Sequence, residues 1–126
     1  MYILPTDSTP EVDLNFSDGR GHIRGRFAIP HPADFFHKIN EHLEQVVSDP
    51  ECRGLVIELR LEEMPSIVLP HLKSLFDLLR KYDPKSERIK IEFLYPKGWR
   101  QVENFVRSLA HGDYNMLIKG VPIEEP

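Results

Sequence analysis

Apolar and polar residues alternate along several stretches of this chain, and in others the apolar residues recur every three or four positions. Alternation places successive side chains on opposite faces of an extended strand. Val12, Leu14 and Phe16 follow this pattern, and Ile23, Gly25 and Phe27 repeat it after a glycine-rich turn, which predicts a β-hairpin. The predicted strands cover residues 12–16, 23–27, 54–61, 89–95 and 115–121.

Three segments have the spacing of amphipathic helices. The first runs from about Ala33 to Val47, and the second follows Ser66 and ends near Tyr82. The third presents an apolar stripe at Trp99, Val102, Phe105, Val106 and Leu109. Residues 1–10 read as an extended lead-in, and residues 122–126 read as a short mobile tail.

The element order is therefore β-β-α-β-α-β-α-β, and it predicts an α/β fold in one domain over residues 1–126. Parallel strands joined by right-handed crossovers should follow the N-terminal hairpin, giving a mixed sheet. Strands buried on both faces lack polar alternation, whereas Glu58, Arg60, Lys90 and Glu92 alternate with apolar residues here. We therefore expect all three helices on one face, with a core formed by Phe36, Ile39, Leu43, Leu55, Ile57, Leu59, Leu72, Phe76, Leu79, Ile89, Ile91, Phe93, Val102, Phe105 and Val106.

The other sheet face carries charges. Arg24, Arg26, Arg60 and Lys90 could form a basic stripe there. RNA-binding sheets stack bases on aromatic side chains of the same face. The aromatic residues of these strands are predicted to face the core, so the favoured interpretation is pairing of the stripe with Glu58 and Glu92 across strands.

Composition narrows the functional classes. The 126 residues have a net charge of −4, which gives no general attraction to nucleic acid or anionic membranes. Cys52 is the single cysteine, so no internal disulfide is possible and a reducing, cytoplasmic location is expected. No apolar run approaches the ~20 residues of a membrane span, and no signal peptide is visible. The sequence lacks the residue spacing of a metal site and the glycine-rich loop of a nucleotide site, so no cofactor is predicted. It also lacks the nucleophile elbow of a hydrolase.

The stretch between the third predicted strand and the second predicted helix is the candidate functional site. Ser66 lies at this corner, just after Glu62 and Glu63. Its hydroxyl fits two interpretations: an N-cap of the following helix, or a phosphorylation site at a helix N-terminus. An enzyme using this corner is a weaker third interpretation, because no base for Ser66 lies nearby in the sequence.

Short motifs lie along the whole chain at Gly25 and in four segments: Ile3–Pro10, Glu58–Leu61, Leu75–Leu79 and Ile91–Tyr95. These motifs resemble those of the SiaC-type regulatory phosphoproteins, a bacterial family with an anti-anti-sigma (STAS-like) fold. The family's phosphorylated residue lies in an Asn-Thr-Ser-Ser run. Counting from Leu61 places Pro65-Ser66-Ile67-Val68 at this run, so the hydroxyl is retained as Ser66.

The resemblance implies a switch protein rather than an enzyme. It implies that a protein kinase phosphorylates Ser66 and that a metal-dependent Ser/Thr phosphatase removes the phosphate. The unphosphorylated form would then bind and activate a partner, by family resemblance a diguanylate cyclase. The expected partner-binding residues are Glu62, Glu63, Met64, Pro65, Ile67 and His71. The alternative is a small STAS-like ligand-binding or structural domain in which Ser66 only caps a helix.

Overall fold

In a computed structural model the chain folds into a six-stranded mixed sheet and three α-helices. The structure describes residues 1–63, 65–112 and 114–124. A 3-10 helix at Ser66–Val68 precedes α2. The elements in chain order are β1 (Tyr2–Ile3), β2 (Glu11–Asp13), β3 (Arg20–Arg26), α1 (Pro32–Val47), β4 (Leu55–Glu63), α2 (Leu69–Tyr82), β5 (Ile89–Pro96), α3 (Arg100–Ala110) and β6 (Ile118–Ile123).

The strands lie in the sheet in their chain order. The pairs β1–β2 and β2–β3 are antiparallel, and the pairs from β3 to β6 are parallel. This confirms the predicted mixed α/β fold, with one addition. The lead-in predicted as merely extended contributes β1, in which Tyr2 pairs with Asp13 and Ile3 with Val12.

The three helices cover one face of the sheet, as predicted. Their apolar stripes share one buried core with the apolar positions of the strands. All the predicted core residues are buried except Phe105, which is half-buried and meets Phe93 edge to face with ring centroids 6.3 Å apart. The opposite face, called the open face below, is half-buried or exposed; it carries His22, Arg24, Glu58, Arg60, Lys90, Glu92 and Leu94.

The first hairpin differs from the prediction in length. Its first strand, β2, ends at Asp13, and Phe16 takes a left-handed conformation with φ of 56° that excludes it from the strand. The Phe16 ring then lies over Gly21, where an added Cβ would be 2.8 Å from Phe16 Cε1. Residue 21 therefore has to be glycine for this turn to close as it does.

The entry to α2 tolerates a proline. A helix that starts near Ser66 would place Pro70 one turn inside it, where proline is an unusual residue because it removes a donor. The α-helix begins at Leu69, so Pro70 lies in its first turn, where backbone N–H groups have no intrahelical acceptor. Pro32 occupies the same kind of position in α1.

The C-terminal strand starts later and ends later than predicted. Leu117 and Ile118 donate backbone hydrogen bonds to Tyr114 O, which makes this region a turn instead of the start of a strand. β6 then includes Pro122 and Ile123, which were predicted to belong to a mobile tail. Glu125 and Pro126 lie outside the described residues.

Pro122 lies on the free edge of the sheet. Leu117 O and Ile123 O accept hydrogen bonds from β5 and from the residue after it, so the backbone groups of Pro122 point away from β5. Proline has no N–H to offer there, which makes this edge a poor template for another strand.

Glu11 connects the N-terminal strands on the open face. Its carboxylate accepts hydrogen bonds from Tyr2 Oη at 2.8 Å and Arg24 Nε at 3.3 Å, and His22 Nε2 lies 2.7 Å from Oε1. The contact with His22, followed by that with Tyr2, lowers the pKa of Glu11 below its ordinary value of 4.5. Ionised Glu11 therefore stabilises the packing of β1 and β2 against β3.

We expect Glu11→Gln to reduce the acid sensitivity of the fold. A carboxylate with a lowered folded-state pKa contributes stability above its unfolded pKa, and this contribution is lost as the pH falls through the folded value. The wild type should therefore lose part of its thermal stability below pH 4.5, and Glu11→Gln should lose less over the same range.

Thermal melts from neutral pH to below pH 4.5 measure this difference. Glu41→Gln is the control, because the Glu41 side chain is 65% exposed on α1, away from β1. Parallel pH profiles for the wild type and Glu11→Gln would contradict the role given to Glu11.

Candidate functional site

Ser66 and Ile67 lie exposed at the corner between β4 and α2, and residues 62–67 are called the corner below. β4 ends at Glu63, and Pro65 has an extended backbone with φ of −63° and ψ of 149°. The 3-10 helix begins immediately afterwards at Ser66. The corner therefore presents a hydroxyl beside an apolar side chain, since Ile67 is 63% exposed.

The Ser66 hydroxyl does not cap a helix. The N-cap of the 3-10 helix is Pro65 and that of α2 is Val68, and neither end has a side-chain capping bond. Ser66 contributes through its backbone oxygen, which accepts a hydrogen bond from the Leu69 N–H. The capping interpretation is therefore wrong, and within the described residues Ser66 Oγ has no hydrogen-bond partner.

The two glutamates of the corner have different surroundings. Glu63 Oε2 accepts two hydrogen bonds from Arg26, at 2.8 Å from Nε and 2.5 Å from Nη2. The Glu63 contact, reinforced by the charges of Asp7 and Glu62, raises the pKa of Arg26 above its usual value. Glu62 is exposed and has no ion pair among the described residues, so the corner keeps a free carboxylate next to Ser66.

The remaining predicted partner-binding residues are divided between surface and packing. Pro65 is half-buried at the corner, and Met64 lies outside the described residues. His71 is half-buried on α2 and stacks on Phe36 of α1, with ring centroids 5.6 Å apart and planes 10° apart. Packing of the two helices therefore accounts for His71.

Two depressions beside the corner involve residues that the sequence interpretation did not assign to a site. Glu62 and Trp99 line both of them. One, of about 190 Å³, also contacts Arg60, Pro96 and Ile123. The other, of about 480 Å³, reaches Arg100 and Val102 at the start of α3. Both lie where the parallel strands β4, β5 and β6 end together, the edge at which open α/β sheets usually bind ligands.

The basic residues of the open face do not pair as predicted. Arg26 pairs with Glu63, and Lys90 Nζ donates to the Met116 carbonyl at 3.0 Å. Glu92 pairs with Arg20 at 2.8 Å, so the predicted use of Glu92 by the stripe is wrong. Arg60 has no ion pair in the part of the chain that the structure describes.

The described residues form neither a metal-binding cluster nor a membrane-spanning helix. Residues 1–63, 65–112 and 114–124 contain no group of His, Cys, Asp and Glu side chains that could hold a metal ion. Within the same ranges no helix is long and apolar enough to cross a bilayer. Partial burial raises the pKa of the Cys52 thiol, and the nearby Asp49 adds to this shift. Cys52 is therefore a weak nucleophile at neutral pH.

Taken together, the mixed sheet, the three helices on one of its faces and the exposed hydroxyl at a strand-to-helix corner define a small α/β domain. A family model described as SiaC family regulatory phosphoprotein matches residues 3–119. The chain therefore belongs to the SiaC family, as its motifs predicted. A search of curated proteins gave no significant match.

Solved structures share this fold at low sequence identity. A chain in the crystal structure of the diguanylate cyclase SiaD in complex with its activator SiaC, from Pseudomonas aeruginosa, is similar with a TM-score of 0.82 and 16% identity. The match covers 98% of this chain and 99% of that one. Apo-SiaC from the same organism gives a TM-score of 0.77 at 18% identity, covering 95% of this chain and 96% of that one.

Proposed function

We propose that this chain is a phosphorylation-controlled switch that binds and activates a diguanylate cyclase, with Ser66 as the phosphorylated residue. Membership of a regulatory phosphoprotein family supports the class of function. The cyclase is proposed because a structurally similar chain is the activator in a complex with one. The observation that carries the site is the Ser66 hydroxyl, which is exposed at the corner and bonded to no described group.

A phosphate at Ser66 would change the charge of the corner without requiring a new fold. It adds about −1.5 to −2 charges at neutral pH. The start of the helical segment favours this charge, whereas the free carboxylate of Glu62 opposes it. Arg26 is already held by Glu63. The net result is a strongly negative patch that a partner surface can distinguish from the unmodified corner.

The other components of the switch follow from the same proposal. A protein kinase adds the phosphate, and a metal-dependent Ser/Thr phosphatase removes it. The chain itself acts by binding and not by catalysis, in the cytoplasm where cyclase, kinase and phosphatase can all reach it. Exposed Ser66 and Ile67 suit this role, because both enzymes and the cyclase need access to the corner.

We expect Ser66→Ala to bind the cyclase like the wild type and Ser66→Asp to bind it ~2- to 10-fold more weakly. Alanine removes a hydroxyl that makes no bond, whereas aspartate adds one charge beside Glu62 at a solvent-exposed position, where charge effects are modest. Titration calorimetry with the diguanylate cyclase from the same cells measures both affinities. Mass spectrometry of the protein purified from those cells tests whether Ser66 carries phosphate.

Ser74→Asp is the matched control. Ser74 is an exposed serine on α2 whose Oγ donates to Pro70 O at 3.1 Å, away from the end of β4. Its replacement should leave the affinity for the cyclase unchanged. Equal affinities for the wild type, Ser66→Ala and Ser66→Asp, together with no phosphate on Ser66, would favour the ligand-binding or structural alternative.

A further inference from the structure

The two edge strands of the sheet differ in how they are protected. Natural sheets guard exposed edges with charges, prolines, bulges or short strands. At the β6 edge, Pro122 offers no N–H and Lys119 adds an exposed charge. At the β1 edge, residues 1–5 read Met-Tyr-Ile-Leu-Pro and carry no charged side chain. Of these devices, β1 has only its short length.

The backbone groups that β1 turns outward follow from its pairing with β2. The Leu14 N–H donates to Met1 O at 2.9 Å, and Ile3 lies two residues further along the same register. Bonded positions alternate along an antiparallel strand, so Met1 and Ile3 face β2. The N–H and C=O groups of Tyr2 and Leu4 therefore point to the free edge.

The end of β1 keeps these groups available. Leu4 precedes Pro5, and a residue before proline favours extended backbone. Pro5 occupies a position that faces β2, so its missing N–H removes no donor from the free edge. Among the described residues, no hydrogen bond outside the strand ladders uses the backbone of Leu4. The edge thus presents two donors and two acceptors at alternate positions.

Exposed apolar side chains accompany these backbone groups. Tyr2 is 51% exposed and Leu4 is 70% exposed, and alternation places both side chains on the open face. Within the part of the chain that the structure describes, the other exposed large apolar residues are Ile67 and Met116. On the opposite side of β1, Ile3 is half-buried against the core. Free backbone groups next to exposed apolar side chains are what an added strand binds.

We propose that β1 pairs with β1 of a second copy of this chain, antiparallel about a two-fold axis, and joins two six-stranded sheets into one. Tyr2 lies opposite Leu4 of the partner subunit, and Ile3 lies opposite Ile3 of the partner subunit. The two Tyr2–Leu4 pairs each exchange two backbone hydrogen bonds. Every contact occurs twice, as a two-fold interface requires.

A second copy is favoured as the occupant because this segment is complementary to itself. An added strand has to supply donors and acceptors at alternate positions, apolar side chains that meet Tyr2 and Leu4, and no charge that would lose its water. Residues 1–5 meet each requirement. Tyr2 and Leu4 then form cross-strand aromatic–aliphatic pairs on the open face, and the two Ile3 side chains meet on the core side.

The dimer leaves both corners accessible. The two-fold axis stands perpendicular to the joined sheet, so the helices of both copies lie on one side and the two corners lie at opposite ends. Ser66 follows β4, which β2 and β3 separate from the β1 edge. One dimer can therefore hold two partner molecules at once. The pairing itself does not depend on the proposed function.

The association is measured on the full chain at increasing concentration. The edge is short, so we expect a weak dimer with a Kd of roughly 0.1 mM. Sedimentation equilibrium should show the mean mass rising from monomer towards dimer between ~10 μM and ~1 mM. The amide chemical shifts of Tyr2 and Leu4 should change over the same range. A chain that stays monomeric at ~1 mM overturns the proposal.

The geometry of the pairing has its own readout. In an antiparallel sheet, the α-protons of two opposite residues that share no hydrogen bond approach each other closely. We therefore expect an isotope-filtered nuclear Overhauser effect between Ile3 Hα of one copy and Ile3 Hα of the other, in a mixture of labelled and unlabelled chain. A dimer without this signal, with shifts on another surface, would contradict the proposal.

Leu4→Lys should weaken the association by ~10-fold or more, because it removes an apolar contact from both pairs and brings two like charges together across the axis. Met116→Lys is the matched control, since Met116 is 60% exposed and lies just before β6, on the other edge of the sheet. It should leave the Kd unchanged. Circular dichroism checks that each variant folds.

A mixture of Leu4→Lys with Leu4→Glu tests the two-fold register. Position 4 of each copy is a diagonal neighbour of position 4 in the other, so opposite charges there should attract. The mixture should associate more tightly than either variant alone, most clearly at low salt. Equal association of the mixture and the single variants would overturn the two-fold pairing. A wild type that stays monomeric while the cyclase shifts the Tyr2 and Leu4 amides would assign this edge to the cyclase and would also overturn it.

Discussion

Phe76→Ala is expected to lower the free energy of unfolding by ~3–5 kcal/mol, the usual range for removing a fully buried phenylalanine. Phe76 is 0% exposed on α2. Its ring meets Tyr114 edge to face, with centroids 5.7 Å apart. The change would leave a cavity in the core and remove this contact. Urea denaturation followed by circular dichroism measures the loss.

Phe35→Ala is the matched control for this experiment. Phe35 is a half-buried phenylalanine on α1, next to the fully buried Phe36. Its replacement should cost clearly less than that of Phe76. Equal losses for the two variants would show that α2 does not pack into the core as the structure describes.

The helices and the central strands could be predicted because their signals are local. Leu72, Leu75, Phe76 and Leu79 share one helical stripe, and the structure buries all four. Alternation likewise matches the burial of β4 as far as Leu61 and of β5 as far as Phe93. Such patterns depend only on which face of a helix or strand is buried, and the spacing of apolar residues in the sequence identifies that face.

The elements at both ends of the sheet were harder to predict because they depend on partners distant in the chain. β1 is two residues long and exists through its pairing with β2. Pro122 looked like the start of a tail, yet it fits β6 because its missing donor lies on a free edge. In both cases the strand is determined by its place next to another strand of the sheet, and this pairing does not appear as a periodic pattern in the sequence.

The position of the corner could be predicted from the sequence, but the ion pairs around it could not. β4 ends at Glu63 and the helical segment begins at Ser66, as the change in periodicity predicted. The ion pair of Arg26 with Glu63 depends on a register shift between Gly25 and Arg26. Arg60 is left without an ion pair among the described residues because its neighbours on the adjacent strands are Arg24 and Leu94. Neither arrangement could be derived without knowing which strands are neighbours.

The connector between α2 and β5 shows the same limit. Residues 83–86 have the sequence Asp-Pro-Lys-Ser, which by itself indicates only a connector between a helix and a strand. In the structure Arg88 donates hydrogen bonds to the carbonyls of Asp49 and Cys52, which lie after α1. It also donates to the carbonyls of Val47 and Tyr82 at the ends of α1 and α2. Arg88 therefore fastens the two helix ends to the start of β5.

The Asp83 carboxylate also stabilises this junction, by accepting hydrogen bonds from backbone N–H groups. We therefore expect Asp83→Ala to be among the most destabilising changes in the chain. Asp83 is a buried residue, with 5% of its surface exposed. Its carboxylate accepts backbone hydrogen bonds from Glu87 and Arg88 at 3.0 Å and from Ile89 at 2.9 Å. Alanine would leave three donors without their acceptor, of which the Ile89 N–H is buried and those of Glu87 and Arg88 are partly buried.

Each buried donor left unpaired costs about 1–3 kcal/mol, so we expect Asp83→Ala to lower the free energy of unfolding by ~3 kcal/mol or more. Denaturation in urea at neutral pH measures the loss. Asp49→Ala is the control, because exposed Asp49 accepts one backbone hydrogen bond, from Glu51 at 2.9 Å, and should cost ~1 kcal/mol or less. A loss for Asp83→Ala no larger than that of the control would show that the junction tolerates its open donors, and Arg88 would then carry the connection between α2 and β5 by itself.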